Sequence, residues 1–527
     1  MAILLTPQIS FTLDEAADFA NSCAKKLGIH RNDIDDWSFH KKSLDVRHKN
    51  PKFMATLLLD IRDDSALRHL EKAGCKPPLP RIQMPDFTRR QVAPRVAVVG
   101  AGPSGLFASW TLARAGVKVD LFERGKDAKS RSNDVAQLMH RGILSTESNI
   151  CFGEGGAGTY SDGKLMTRTK SKFIPIVLEL FSKCCNNDRI LYESHPHIGT
   201  DKLTPMLLNA RAHLESLGVS YHFETRIDDI WIDANRCRGI VVNGEKLGYD
   251  AVFLCIGHSA DEMFETLHRR GVAMAQKPLA IGVRVEHPQE LINRIQYGRY
   301  ADHPLLPAAE YAVRFNDEKL PSAFSFCMCP GGRVVPSHTH PDCCVVNGMS
   351  GSFRNGRFAN SALVVQVGEE SFDDGPLGGL HWIRRIEKKA AENLPPRYAP
   401  AQSMTDFIAN KTPGTSPRTT YTPGTAPANL RNILPARVAT SLLAALPTFD
   451  RQMHGFITDS ANFIGVETRT SSPVRILRGD DYASISFPGL YPLGEGAGYA
   501  GGITSCALDG IHAAISWLAW IPPLFPV

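Results

Sequence analysis

The sequence predicts an α/β fold, and three observations predict it. The run RVAVVG, residues 95–100, is continuously apolar and ends in glycine, as a strand buried on both faces of a parallel sheet does. It is followed by PSGLFASWTLARAG, with helical apolar spacing, and by VKVDLFE, a second buried run, so the three form a strand–helix–strand unit. The rhythm recurs in YDAVFLCIG and in the terminal GLYPLGEGAGYAGGITSCALDGIHAAISWLAW, whereas residues 276–445 lack it.

Taken in order, residues 1–75 read as a small α+β module. ILLTPQISF is a candidate strand, LDEAADFANSCAKKLG a helix, WSFHKKSLDV and KFMATLLLDI strands, and DDSALRHLEKAG a helix with an Asp cap. Residues 76–94 hold five prolines and no period, which predicts a linker. Residues 95–275 form the first part of a Rossmann-like domain, and residues 276–445, rich in Pro, Gly and polar turns, an inserted mixed-sheet domain. Residues 446–527 return to the first domain.

Composition bounds the function classes. A chain of 527 residues with 43% hydrophobic and 21% charged residues is globular and long enough for two or three cores. A net charge of +5 argues against a dedicated nucleic-acid binder. No secretory signal is read at the N-terminus, and the greasy C-terminal segment, interrupted by Asp509 and His512 and ended by Pro522 and Pro523, is too short to span a bilayer. The twelve scattered cysteines, none in C-x-x-C, read as packed thiols in a reducing, cytoplasmic compartment.

Three segments match G-x-G-x-x-G, beginning at Gly100, Gly153 and Gly496. Only the first follows a buried strand, opens a helix and has an acid, Glu123, at the end of the next strand, eighteen residues beyond Gly105. There Gly100 permits the tight turn, Gly102 lets a pyrophosphate approach the backbone, and Gly105 lets helix pack on strand. An acid at Glu123 suits the adenosine ribose of FAD or NAD. In the terminal segment Glu495 follows a strand end, and the helix entrance near Gly502 and Ile503 offers free N–H groups to a flavin ring. That arrangement resembles the final flavin motif of flavoproteins with two dinucleotide-binding domains, where an acid holds the ribityl chain, and the resemblance makes FAD the expected cofactor.

The segments SNICFGEGGAGTYSDGKL, GHSA, KPLAIGVRVEHP, FCMCPGG, VNGMSG, ANSALVVQV, ETRTSSPVRI and YPLGEGAGYAGGITS together resemble a family of FAD-dependent dehydrogenases of bacteria and plastids. The resemblance spans nearly the whole chain and implies a glutathione-reductase-type FAD fold with an inserted substrate domain. It departs in GHSADEMFETLH, where Asp261 stands close to an expected Arg–Asp pair, and in GGLHWIRRIE. The stretch CFGEGGAGTYSDGKL, with five glycines between Gly153 and Gly163, is expected to lie along the FAD rather than to bind a second nucleotide. The expected cofactor contacts are Gly100, Gly102, Pro103, Ser104, Gly105, Glu123, Arg124, Arg131, Gly153, Gly155, Gly156, Ile227, Gly257, Gly494, Glu495, Gly502 and Ile503.

No catalytic residue is assigned and no metal is expected: SHTHPDCC, with His338, His340, Cys343 and Cys344, fits no common zinc spacing and reads as a polar loop. Cys151 reads as a packed thiol. Lys164, Arg469 and Arg475 are candidate cations that converge on a small acidic substrate. The expected activity is hydride transfer between a substrate carbon and flavin N5, with a nicotinamide cofactor or another electron partner as a diffusible reactant. Two other readings stand beside it: an RNA-modifying flavoprotein gripping nucleic acid through Lys41, Lys42, Arg47, Lys49 and Lys52, and a flavin-bearing assembly or regulatory protein with little turnover.

Overall fold

The computed structural model describes residues 2–47, 50–87 and 93–520. Lys49, Pro522, Pro523 and residues 88–92 of the proline-rich segment lie outside them. In the N-terminal module, strand Lys52–Ile61 pairs along one edge with Ile34–Asp45 and along the other with both Ala2–Leu5 and Ile9–Phe11. The single strand expected over ILLTPQISF is thus two, with Pro7, which has no N–H to give a ladder, in the gap. Helix Asp64–Lys72 carries the expected cap, Asp63 accepting from the Ala66 N–H at 2.8 Å.

The second unit is a five-stranded parallel sheet in the order Leu490–Pro492, Ala251–Leu254, Arg95–Val99, Lys118–Phe122, Ser220–His222. Every side chain of Val96–Val99 and Ala251–Leu254 is buried, as continuous apolar runs require. Helix Pro103–Arg114 follows the central strand, and helix Ile503–Trp520 follows the edge strand and packs against it. Gly510 is the point of closest approach: a Cβ there would overlap the Ser104 carbonyl. The fold therefore brings the chain's two glycine-rich turns, four hundred residues apart in sequence, to one end of one sheet.

The third unit is an eight-stranded mixed sheet. Its central strand, Leu279–Pro288, lies between Phe358–Val367 and Asn462–Glu467, and Ala323–Pro336 pairs outside Phe358–Val367. Ala323–Pro336 is irregular, with register shifts on either side of Cys329. Among the described residues no helix is long and apolar enough to cross a membrane.

Candidate functional site

A cleft of about 540 Å³ opens at the carboxyl end of the parallel sheet, where a doubly wound fold places its ligands. Gly100, Gly102, Glu123, Arg124, Ile227 and Gly257 all line it. Gly100 has φ +107° and its Cβ would overlap the Cys255 carbonyl, while Gly105 faces the Gly100 carbonyl where helix meets strand. Gly102 is different: the nearest atom to a Cβ there is the Gly156 Cα, at 4.0 Å. Packing thus demands glycine at 100 and 105, but leaves space in front of 102. Gly102 caps helix Pro103–Arg114 without any side-chain cap, so the first-turn N–H groups behind Pro103 and the buried Ser104 face that space.

The cleft is held by Glu123 and Arg131. The Glu123 carboxylate, 6% exposed, accepts from the N–H groups of Ala101 at 3.0 Å, Gly125 at 2.9 Å and Gly153 at 2.9 Å. It ties the first turn, the end of the second strand and the glycine-rich loop together, and of about four acceptor positions on a carboxylate one remains. Arg131 departs from its expected place as a cofactor contact. It is fully buried and donates to the carbonyls of Asn149, Ile150, Gly153, Glu154 and Gly156 and to the Thr159 hydroxyl, which spends its five N–H groups on the loop. Arg124 closes one rim, its guanidinium 3.9 Å from the Phe152 ring centroid and paired with Glu147 and Glu262.

The loop held by Arg131 runs from one end of the site to the other. Gly153 bonds Glu123; the Gly155 N–H donates to the Ala101 carbonyl at 2.8 Å; Gly156 faces Gly102; and Gly158 stands against Ile503, the first residue of the C-terminal helix. Gly153, Gly155 and Gly156 all have positive φ, which explains the glycine density. The loop's backbone lies alongside the turn that begins at Gly100. At the far end Gly494 packs against Ser104, and burial pushes the Glu495 carboxyl up to about 7 against the opposing pull of Lys277. No hydrogen bond to that carboxylate is made among the described residues. Gly501 and Gly502 leave open space before the helix Ile503–Trp520.

The three cations expected to converge are instead held by separate partners. Lys164 bonds Asp162 at 2.6 Å and the Met328 carbonyl at 2.6 Å, inside a cluster with Arg354 and Glu310. Arg469 clasps Glu387 with two bonds of 3.0 and 2.9 Å and donates to Ser259 and Thr339. Arg475 is exposed, over the Tyr499 ring at 5.4 Å. It lies near Lys277, which sequence reasoning missed; burial, then Arg475, holds the Lys277 ammonium below its usual range. The two divergent stretches meet in an ion pair, Arg384 to Asp261. In SHTHPDCC the residues Ser337, His338 and Thr339 are buried, and His338 is held neutral to about 4 by burial and by Arg469.

A Rossmann-like cleft, a loop of glycines beside it and a second glycine-rich helix entrance define a dinucleotide-binding protein. The comparisons agree: residues 98–143 match the NAD(P)-binding Rossmann-like domain, residues 278–470 the family described as FAD-dependent protein, C-terminal domain-like, and residues 3–60 a domain of unknown function. An uncharacterized protein of Clostridium beijerinckii is 39% identical over 525 residues, 98% of each chain. The protein belongs to this family of FAD-dependent proteins and is an FAD-dependent oxidoreductase. Among solved structures, the flavin-dependent brominase Bmp2 aligns with TM-score 0.37 and 12% identity over 82% of each chain. The glycerol-3-phosphate dehydrogenase of Bacillus halodurans complexed with FAD aligns with TM-score 0.35 and 11% identity over 82% of this chain and 67% of that one.

Proposed function

We propose that the protein moves a hydride between the carbon of a small acidic substrate and flavin N5, with FAD stretched from the Glu123 cleft to the start of helix Ile503–Trp520. The observation that carries this reading is the glycine-rich loop, which touches Glu123 at one end, leaves Gly102 open midway and reaches Ile503 at the other. Bound FAD would supply the two-electron chemistry. The chain's own residues bind, orient and exclude water. The Gly102–Ser104 turn presents N–H groups to the pyrophosphate, Glu123 offers its remaining acceptor position to the ribose, and Ile227 and Gly257 line the adenine end. Glu495, poised near neutrality, accepts from the ribityl chain, and the positive end of the last helix faces the ring. Lys277 and Arg475, both near Glu495 or each other, are the cations left to attract an acidic substrate. Free thiols at all twelve cysteines support a cytoplasmic setting, and NADH or NADPH is the candidate diffusible electron partner.

Gly102→Val tests the cofactor path. A Cβ at Gly102 meets no protein atom nearer than 4.0 Å, so the variant should keep its fold and thermal transition but lose FAD by at least about a hundredfold in affinity, or about 2.7 kcal/mol. Flavin absorbance after purification and chromatography of the released cofactor check it; full FAD occupancy in the variant rejects the path. Anaerobic mixing of the holoprotein with NADH, NADPH and a panel of carboxylic acids identifies the reductant, and failure of every hydride donor to bleach the flavin rejects the hydride reading while leaving the cofactor path standing.

A further inference from the structure

Cys327 and Cys329 lie in the irregular part of strand Ala323–Pro336. Phe326 pairs with Ala362 and Cys329 with Asn360, so three residue steps on one strand oppose two on the other and an extra residue is bulged out. Cys327 sits at φ +46°, a left-handed conformation that a cysteine adopts only where its surroundings impose it. Three contacts impose it here. Arg284, fully buried, donates to the Cys327 carbonyl at 2.7 Å and reaches the Cys329 sulfur at 3.5 Å; Lys164 donates to the Met328 carbonyl between them; and the Cys329 thiol lies 3.3 Å from the Cys327 carbonyl. The Cys329 thiol thus bonds the backbone of Cys327 and the Arg284 guanidinium. The two cysteines stand two residues apart in this bulge, and one guanidinium, that of Arg284, touches both.

The surroundings are polar and charged. Arg284 and Lys164 are the facing cations, and Glu467, Asp162 and Glu495 the facing anions. The neighbouring Cys329 thiol, then the charges of Arg284 and Lys164, hold the Cys327 thiol below its ordinary range, while Cys329 is pushed above it. Cys327 is half-buried and Cys329 buried, which is the order expected of an attacking and a resolving thiol. Cys23, Cys185, Cys237, Cys255 and Cys506, by contrast, are all pushed upward chiefly by burial.

We propose that Cys327 and Cys329 are a redox-active dithiol that closes to a disulfide by exchange with a low-molecular-weight disulfide. The Cys327 thiolate attacks one sulfur of the small disulfide, forms a mixed disulfide and releases the first small thiol. Cys329, deprotonated as it attacks, displaces the second small thiol from Cys327 and forms the Cys327–Cys329 bond. Two protein thiols are oxidised and one small disulfide is reduced to two thiols, so electrons and protons balance. The exchange uses no flavin chemistry, and it stands or falls independently of the hydride reading.

Holoprotein equilibrated in reduced and oxidised glutathione tests it, with FAD content followed as the measure of intact fold. The peptide bearing residues 327–329 becomes two hydrogens lighter in wild type. Cys329→Ser retains glutathione on Cys327, and Cys327→Ser shows neither product. Iodoacetamide at pH 7 labels Cys327 at least about tenfold faster than Cys184 or Cys185, which are also partly exposed. A pair that stays reduced while Cys184 and Cys185 exchange, or a Cys329→Ser protein that carries no adduct on Cys327, overturns the proposal.

Discussion

Glu154 is a fully buried carboxyl in the glycine-rich loop with one oxygen bonded and one bare. Its Oε2 accepts from the Ala128 N–H at 2.7 Å, whereas Oε1 has no partner, and burial pushes the group up to about 7. The folded value lies above the unfolded one, so the stability this group contributes is complete below about pH 4.5 and is lost as pH rises through about 7. The neutral amide of Glu154→Gln keeps the bond to Ala128 and carries no such loss. The variant should match wild type near pH 4.5 and exceed it by roughly 3 kcal/mol at pH 8, read from urea melts of the FAD-stripped protein across that range. Parallel stability curves for the two proteins would show that the carboxyl is charged or solvated in the fold.

At the scale of elements, the site depends on how closely two helices approach. Helix Ile503–Trp520 lies on helix Pro103–Arg114 through Gly510, whose missing Cβ leaves room for the Ser104 carbonyl, and the glycine-rich loop touches the start of each, Gly156 at Gly102 and Gly158 at Ile503. Gly510→Leu should force the helices apart at a cost of about 1–3 kcal/mol and weaken FAD about tenfold, since it moves one frame of the site against the other. Differential scanning calorimetry and FAD titration check it, and unchanged FAD affinity in the folded variant places the frame elsewhere. This pairing was legible in sequence only as two glycine-rich turns, each after a buried strand. Local chemistry pointed to Gly100, Gly105 and Glu123 as one structural unit, because turn, packing and strand end lie within a single strand–helix–strand. It misassigned Arg131, whose acceptors are a loop eighteen to twenty-eight residues away, and the convergence of Lys164 with Arg469 and Arg475, because an arginine's partner is set by tertiary packing. The Cys327–Cys329 pair was equally hidden: C-x-C has no meaning until a bulge and Arg284 give it one.

Across the whole molecule, the glycine-rich loop is joined to the mixed sheet's domain by a buried ion cluster. Asp162 and Lys164 come from the end of that loop, and Glu310 and Arg354 from the inserted segment. Asp162 is 1% exposed and bonds Arg354 at 2.7 Å and Lys164 at 2.6 Å, while Arg354 also reaches Glu310 at 2.7 Å. Charges this deep are costly to bury and are retained only while paired, so removing one partner strands the others. Arg354→Met should cost about 3 kcal/mol, and because Asp162 terminates the loop whose Gly156 faces Gly102, it should also weaken FAD about tenfold. Asp162→Asn alone leaves Arg354 with Glu310 and should cost less. The double variant removes opposite charges together and should fall short of the sum of the singles by at least about 1 kcal/mol, as coupled neighbours do. Denaturant melts and FAD titration of the four proteins complete the cycle. Additive losses would mean that the cluster is a set of independent contacts, and a loss of stability with FAD affinity untouched would mean that the sheet's domain does not brace the cofactor loop.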